Sequence, residues 1–143
     1  MKNNINYYIQ AVNTAITDTE DNGELLNEHF EVVRTALDND KISEISIEQL
    51  TTIKEKFATG TEKYRGINAT LNGLKPPIKV LGVHKQLLKA YQDFVEGCQA
   101  MTDSIDATKQ SVDVEAFEGS EKLQDESSDA MMKNIQRITK ILF

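Results

Sequence analysis

Residues 45–77 read ISIEQLTTIKEKFATGTEKYRGINATLNGLKPP, and this one stretch holds a helix start, a full apolar seam and a stop. Ser46 suits an N-cap, with Gln49 three residues on as the other half of a capping box. Ile45 and Leu50 flank the pair in the positions of a hydrophobic staple. The seam then runs Leu50, Ile53, Phe57, Gly60, Tyr64, Ile67, Leu71 and Leu74 in alternating steps of three and four. That spacing holds one stripe on one side of a helix packed along near-parallel neighbours. Gly73 lies near the end, and Pro76-Pro77 stops the helix because each proline lacks an N–H and disfavours helical geometry in the residue before it. The spacing predicts a helix over 47–74.

The same spacing extends in both directions. Ile5, Ile9, Val12, Ile16, Thr19, Gly23, Leu26, Phe30, Val33 and Leu37 form a seam over 4–38. Asp21-Asn22-Gly23 is a possible break, but the seam stays in phase across it, so one continuous helix of roughly 50 Å is expected. Asp38 to Lys41 forms the first turn. After the prolines, Leu81, His84, Leu88, Tyr91, Val95, Cys98, Met101 and Ile105 define a third helix over 78–106, with Pro77 suited to its first turn. The polar run Asp106–Ser111 is the third link. A fourth helix over 112–142, capped by Ser111 or Asp113, carries Phe117, Ser120, Gln124, Ser127, Met131, Ile135, Ile138 and Leu142. Short links force antiparallel neighbours, so the expectation is all-α: a single domain, 1–143, folded as an up-down-up-down four-helix bundle.

Composition narrows the partners. The chain has 39% hydrophobic and 27% charged residues and a net charge of −7. Its 16 Lys and Arg are dispersed along the sequence with no basic run, which argues against nucleic acid and against an anionic membrane surface. No stretch approaches the roughly 20 apolar residues of a membrane span. The N-terminal residues carry no export signal, so the chain as given reads as cytoplasmic; removal of such a signal from the natural chain would make it extracytoplasmic. The single cysteine, Cys98, sits in an apolar run and reads as a buried side chain.

No motif carries catalysis. Di-iron bundles need Glu-x-x-His pairs, and Leu26 and Leu81 stand where those glutamates would precede His29 and His84. Nucleophile elbows and phosphate loops are absent from the sequence, and no metal, cofactor or enzymatic activity is expected. His84 falls on the third seam. It reads as a core histidine bonded to Asn68, Asn72 or Gln136, or alternatively as a ligand or pH-sensing residue. Tyr7, Tyr8 and Phe143 mark the chain ends and read as end-packing or as a dimer contact. Aligning antiparallel heights puts Gly23, Gly60, Tyr91, Phe94, Gln124 and Ser127 in one central layer. The plainer reading is small residues making room for two aromatics. The sharper one is an internal pocket or hinge lined by Tyr91, Gln124 and Ser127.

Leu74-Lys75-Pro76-Pro77, followed by His84, Leu87, Leu88, Tyr91 and Phe94, carries a resemblance. Residues 67–142 resemble small helical-bundle proteins of Gram-positive bacteria, many of them predicted lipoproteins of unknown function. Those relatives join a Leu-Lys-x-Pro hinge to a His-x-x-Leu-Leu helix, a polar turn and a last amphipathic helix. They begin with an export signal and a lipidated cysteine, which this chain as given does not show. The resemblance implies the fold and no activity. The expected function is a non-enzymatic protein-interaction or binding module, its partner a protein or a second copy in a homodimer. The alternative is a small-ligand carrier or sensor using the central layer or the region around His84.

Overall fold

Ser46 caps α2 (Ile47–Asn72) by accepting a hydrogen bond from the Gln49 amide at 3.0 Å, and Ile45 and Leu50 are both buried in the same apolar cluster. The computed structural model describes the backbone of residues 2–143 and the side chains of residues 4–143. Three further helices complete an antiparallel four-helix bundle: α1 (Lys2–Asp38), α3 (Leu81–Asp103) and α4 (Val114–Leu142). The seam that stayed in phase across Gly23 is one unbroken helix.

The links differ from expectation in detail. α2 ends two residues before its seam does, at Asn72. Pro77 does not open α3; it precedes a single 3-10 turn, Ile78–Val80, after which α3 starts at Leu81. The α3–α4 link is a small antiparallel hairpin, β1 (Ile105–Asp106) paired with β2 (Ser111–Val112). Ile105 drives it, because its buried side chain holds the strand against the core. Lys54 Nζ donates to the Ile105 carbonyl at 2.6 Å, and Gln110 Nε2 donates to the Ile45 carbonyl at 2.8 Å, tying the hairpin to α2 and to the α1–α2 loop. Of the two candidate caps for α4, Asp113 serves, accepting from the Ala116 amide at 3.1 Å.

The interior divides into two clusters. One, around Val33, Ile45, Leu50, Ile53, Phe57, Ile105 and Phe117, fills the end that holds the hairpin. The other, around Tyr8, Leu71, Leu87, Tyr91, Met131 and Ile138, fills the opposite end. Each fully buried Leu or Ile contributes about 1.5–3 kcal/mol. Leu26 packs against both clusters and bridges the waist between them. On α1 the buried column is Tyr8, Val12, Ala15, Asn22 and Val33, so three seam positions sit one residue earlier than expected. Tyr8 in particular is a core residue, neither an end cap nor a dimer contact; Tyr7 and Phe143 are exposed.

Helix spacing is uneven. α3 and α4 pack closely along their length, whereas α1 and α4 touch at few points. Gly97 explains the first. A Cβ placed there would lie 2.9 Å from Gln124 Cγ and 3.3 Å from both the Gln124 amide nitrogen and the Ser120 carbonyl oxygen, so the absence of a side chain lets α4 come close. Where α1 does meet α4, Phe30 stacks on Phe117 at 5.9 Å, and Arg34 lies over the Phe117 ring while pairing with Glu121 at 3.1 Å.

Gly97→Ala forces α4 outward. It is expected to lower unfolding free energy by about 1–3 kcal/mol through overpacking, against the gain of up to about 1 kcal/mol that alanine brings to an exposed helix. Gly119→Ala, with open space around its added methyl, is expected to stabilise instead. Urea denaturation of the two variants shows opposite signs if the close approach at Gly97 holds α3 to α4.

Candidate functional site

Three polar clamps run from α1 into the bundle. Asn22 Nδ2 donates to the Gly60 carbonyl at 3.0 Å. Thr19 Oγ1 lies 2.7 Å from the Tyr91 hydroxyl and also 2.7 Å from the Ala15 carbonyl. A hydroxyl has one proton, and the carbonyl can only accept, so Thr19 donates to Ala15 and Tyr91 donates to Thr19. The third clamp is Tyr8 to His84 Nδ1, at 2.7 Å.

His84 is 3% exposed, and the neighbours expected from sequence, Asn68, Asn72 and Gln136, do not satisfy it. Tyr8 does, from the far side of the bundle. The Tyr8 hydroxyl has no other acceptor among the described residues, so it donates to Nδ1 and the ring proton resides on Nε2. Nε2 is buried with no partner in hydrogen-bond geometry among the described residues. Burial lowers the His84 pKa from its ordinary value, and the nearby Leu71 carbonyl opposes that shift only in part. Burial also pushes the Tyr8 phenol up to about 12, so the pair is neutral.

The four residues singled out from sequence do not share one site. Tyr91 is fully buried and bound to Thr19, with its phenol pushed up to about 12 by burial. Ser127 turns its hydroxyl back onto the Leu123 carbonyl within its own helix. His84 belongs to the Tyr8 pair, nearer the bundle end. Of the four, only Gln124 lines the cavity at the waist: its Nε2 donates to the Gly97 carbonyl at 3.2 Å.

That cavity is a half-open cleft of about 290 Å³ at the wide α1–α4 seam, where the two apolar clusters meet. Its wall is mostly apolar: Leu26 and Phe30 from α1, Phe57 and Tyr64 from α2, Phe94, Cys98 and Met101 from α3. Asn27, Thr61, Gln124, Glu121 and Asp125 supply the polar part of the lining, with the Thr61 hydroxyl turned onto the Phe57 carbonyl. Gly23 and Gly60 make the room. A Cβ on Gly60 would sit 2.6 Å from Leu26 Cδ1, so glycine lets Leu26 lie flat across the waist. The Tyr64 ring meets Phe94 edge-on at 4.9 Å, forming the back of the cleft. Burial pushes the Cys98 thiol up to about 12, with Arg65 opposing weakly, and burial likewise raises Tyr64. Both groups are therefore protonated at neutral pH. Glu121 is engaged by Arg34. Among the described residues, no group of three or more His, Cys, Asp or Glu is placed to hold a metal ion.

The central layer was legible through Gly23, Gly60, Phe94 and Gln124. The aromatic wall from Phe30, Phe57 and Tyr64 was not singled out, because each reads as an ordinary seam residue. Asn22 and Tyr8 were missed as well; a polar or semi-polar residue one step off an apolar seam gives no sign that it faces inward.

His84 sets a pH dependence. Its folded pKa lies below the unfolded 6.5, so above 6.5 both states are neutral and stability is full. As pH falls below 6.5 the unfolded chain gains a proton that the folded chain resists, and stability falls by up to about 1.4 kcal/mol per pH unit. Denaturation at pH 7 and pH 5.5 is expected to show this loss in the wild type and its disappearance in His84→Gln; an equal loss in both would assign it to other groups. No family model, curated protein or solved structure matches this chain.

Proposed function

We propose that this protein is a non-enzymatic binding module whose waist cleft takes a small, largely apolar molecule. The single observation that carries this reading is the aromatic-walled opening between α1 and α4, in a bundle whose other neighbouring helices pack against one another. Its volume is roughly twice the 150 Å³ that suffices for benzene in an apolar protein cavity, near the lower end of the range for ligand pockets. Two fused rings or a short branched acyl group fit that space. The carboxylate and amide groups of Asp125, Asn27 and Gln124 in the lining favour a ligand with a cationic or hydrogen-bond-donating end. Support for binding without turnover comes from the protonated state of the cleft's thiol and phenol and from the pairing of Glu121 with Arg34. The cleft offers no free nucleophile of low pKa and no base with a positioned partner. The cleft is what favours a small ligand over the broader expectation of a protein partner or a homodimer.

Because the chain has no tryptophan, the fluorescence of an indole ligand reports binding without background. Indole and its amine-bearing analogue tryptamine are expected to bind, the amine more tightly. At a hundred times the dissociation constant, either stabilises the fold by about 2.7 kcal/mol in a thermal-shift assay. Gly23→Leu fills the cleft from α1 and is expected to abolish both signals while leaving the helical circular dichroism unchanged. A wild type that responds to neither compound, or a Gly23→Leu variant that binds as well as the wild type, overturns the proposal.

A further inference from the structure

The charges of this molecule divide at its waist. Residues 4–17, 63–92 and 130–143 contain nine Lys and Arg and no Asp or Glu, whereas residues 18–62 and 93–129 contain six Lys and Arg and all 23 carboxylates. The dividing points lie at nearly one height in the fold: Thr19 bonds to Tyr91, Asn22 bonds to Gly60, and Tyr64 packs on Phe94. Cations that are dispersed along the sequence are thus gathered by the antiparallel chain path. The half that ends in the α2–α3 turn and the C-terminal turn of α4 carries cationic side chains and no acidic ones, and the half that ends in the hairpin is strongly anionic.

Exposed apolar side chains follow the cations. Of the nine large hydrophobic residues that are exposed among those described, six lie in the cationic half: Tyr7, Ile78, Leu81, Met132, Ile141 and Phe143. Ile78, in the 3-10 turn after Pro76-Pro77, is 92% exposed, and Phe143 is 76% exposed. Lys75, Lys79 and Lys140 flank this tip, are exposed, and make no ion pair among the described residues.

We propose that the cationic end of the bundle docks peripherally on an anionic lipid bilayer. Lysines at the headgroup level gain from the negative surface potential, and apolar side chains beside them enter the acyl boundary. The anionic half is repelled by the same potential, which orients the bundle tip-down. A nucleic-acid duplex would engage the cations but give Ile78 and Phe143 no apolar phase to enter. No helix among the described residues is long and apolar enough to cross a membrane, so the contact is confined to the surface. This inference stands apart from the waist cleft.

Flotation of the whole chain with vesicles tests it. Binding is expected to vesicles of phosphatidylglycerol mixed with phosphatidylcholine at low salt, and not to phosphatidylcholine alone. Lys75→Gln with Lys79→Gln is expected to weaken partitioning roughly thirtyfold, at about fivefold for each cation near the surface. Ile78→Ser is expected to weaken it without altering its salt dependence, and Lys109→Gln, in the anionic half, to leave it unchanged. All of these positions are exposed in links rather than in the core, so the variants fold. Absence of binding to the anionic vesicles, equal binding to both vesicle types, or insensitivity to Lys75, Lys79 and Ile78 overturns the proposal. So does low-salt association of the protein with itself, or with duplex DNA, that exceeds its association with the vesicles.

Discussion

At Gly97 the backbone of α4 and the Gln124 side chain crowd the place where any other residue of α3 would put its Cβ, and this close approach goes with the uneven spacing of the bundle. With α3 and α4 drawn together, the interior cannot be shared equally around the ring. Large side chains cross the diagonal from α1, Tyr8 to His84 and Thr19 to Tyr91, and they hold α1 at a distance set by an aromatic ring. The α1–α4 seam becomes the wide one. It closes near the hairpin end with Phe30, Phe117, Arg34 and Glu121 and stays open at the waist.

The long-range hydrogen bonds of α1 compensate for its thin contact with α4. Asn22, Thr19 and Tyr8 each engage a polar group on α2 or α3, and each pairing fixes height as well as rotation. Sliding α1 by one residue would break all three and strand buried polar atoms, at about 1–3 kcal/mol each. Apolar contact alone would tolerate such a slip far better. The register of the longest helix is thus specified by its least apolar inward-facing residues.

That arrangement explains what the sequence did and did not disclose. Fold class, helix number and the unbroken run through Gly23 follow from three-four spacing, which records only that one side of a helix is dry. Val12 and Val33 belong to both the expected column and the observed one. The alternate column moved by one residue, from Ile9 to Tyr8, from Ile16 to Ala15 and from Gly23 to Asn22. Apolarity favours isoleucine over Tyr8 and over Ala15, and disfavours Asn22 beside Gly23; the partners on α3 and α2, His84 for Tyr8 and the Gly60 carbonyl for Asn22, are visible only once the helices are assembled. The Ile105–Val112 pairing was hidden for a related reason. A two-residue ladder carries no period, and it forms here because Ile105 is anchored in the core, Lys54 reaches across to its carbonyl, and Gln110 reaches out from the hairpin to the Ile45 carbonyl. The central layer was foreseen in height but not in content: of the residues expected to line a pocket there, Gln124 does, while Tyr91 and Ser127 spend their hydroxyls on Thr19 and on the Leu123 carbonyl.

The wide α1–α4 seam also sets how the molecule opens. A ring of four helices with one thin junction behaves as a rolled strip with a loose edge, in which α1 is the flap. Detaching it costs its contacts with α2, three polar clamps, the Phe30–Phe117 stack and the Arg34–Glu121 pair, while α3 and α4 keep their full interface. Partial opening of this kind lies below global unfolding in free energy. The amide hydrogens of α1 are accordingly expected to exchange with solvent ahead of those of α3 and α4, and the same opening would uncover the back wall formed by Tyr64 and Phe94.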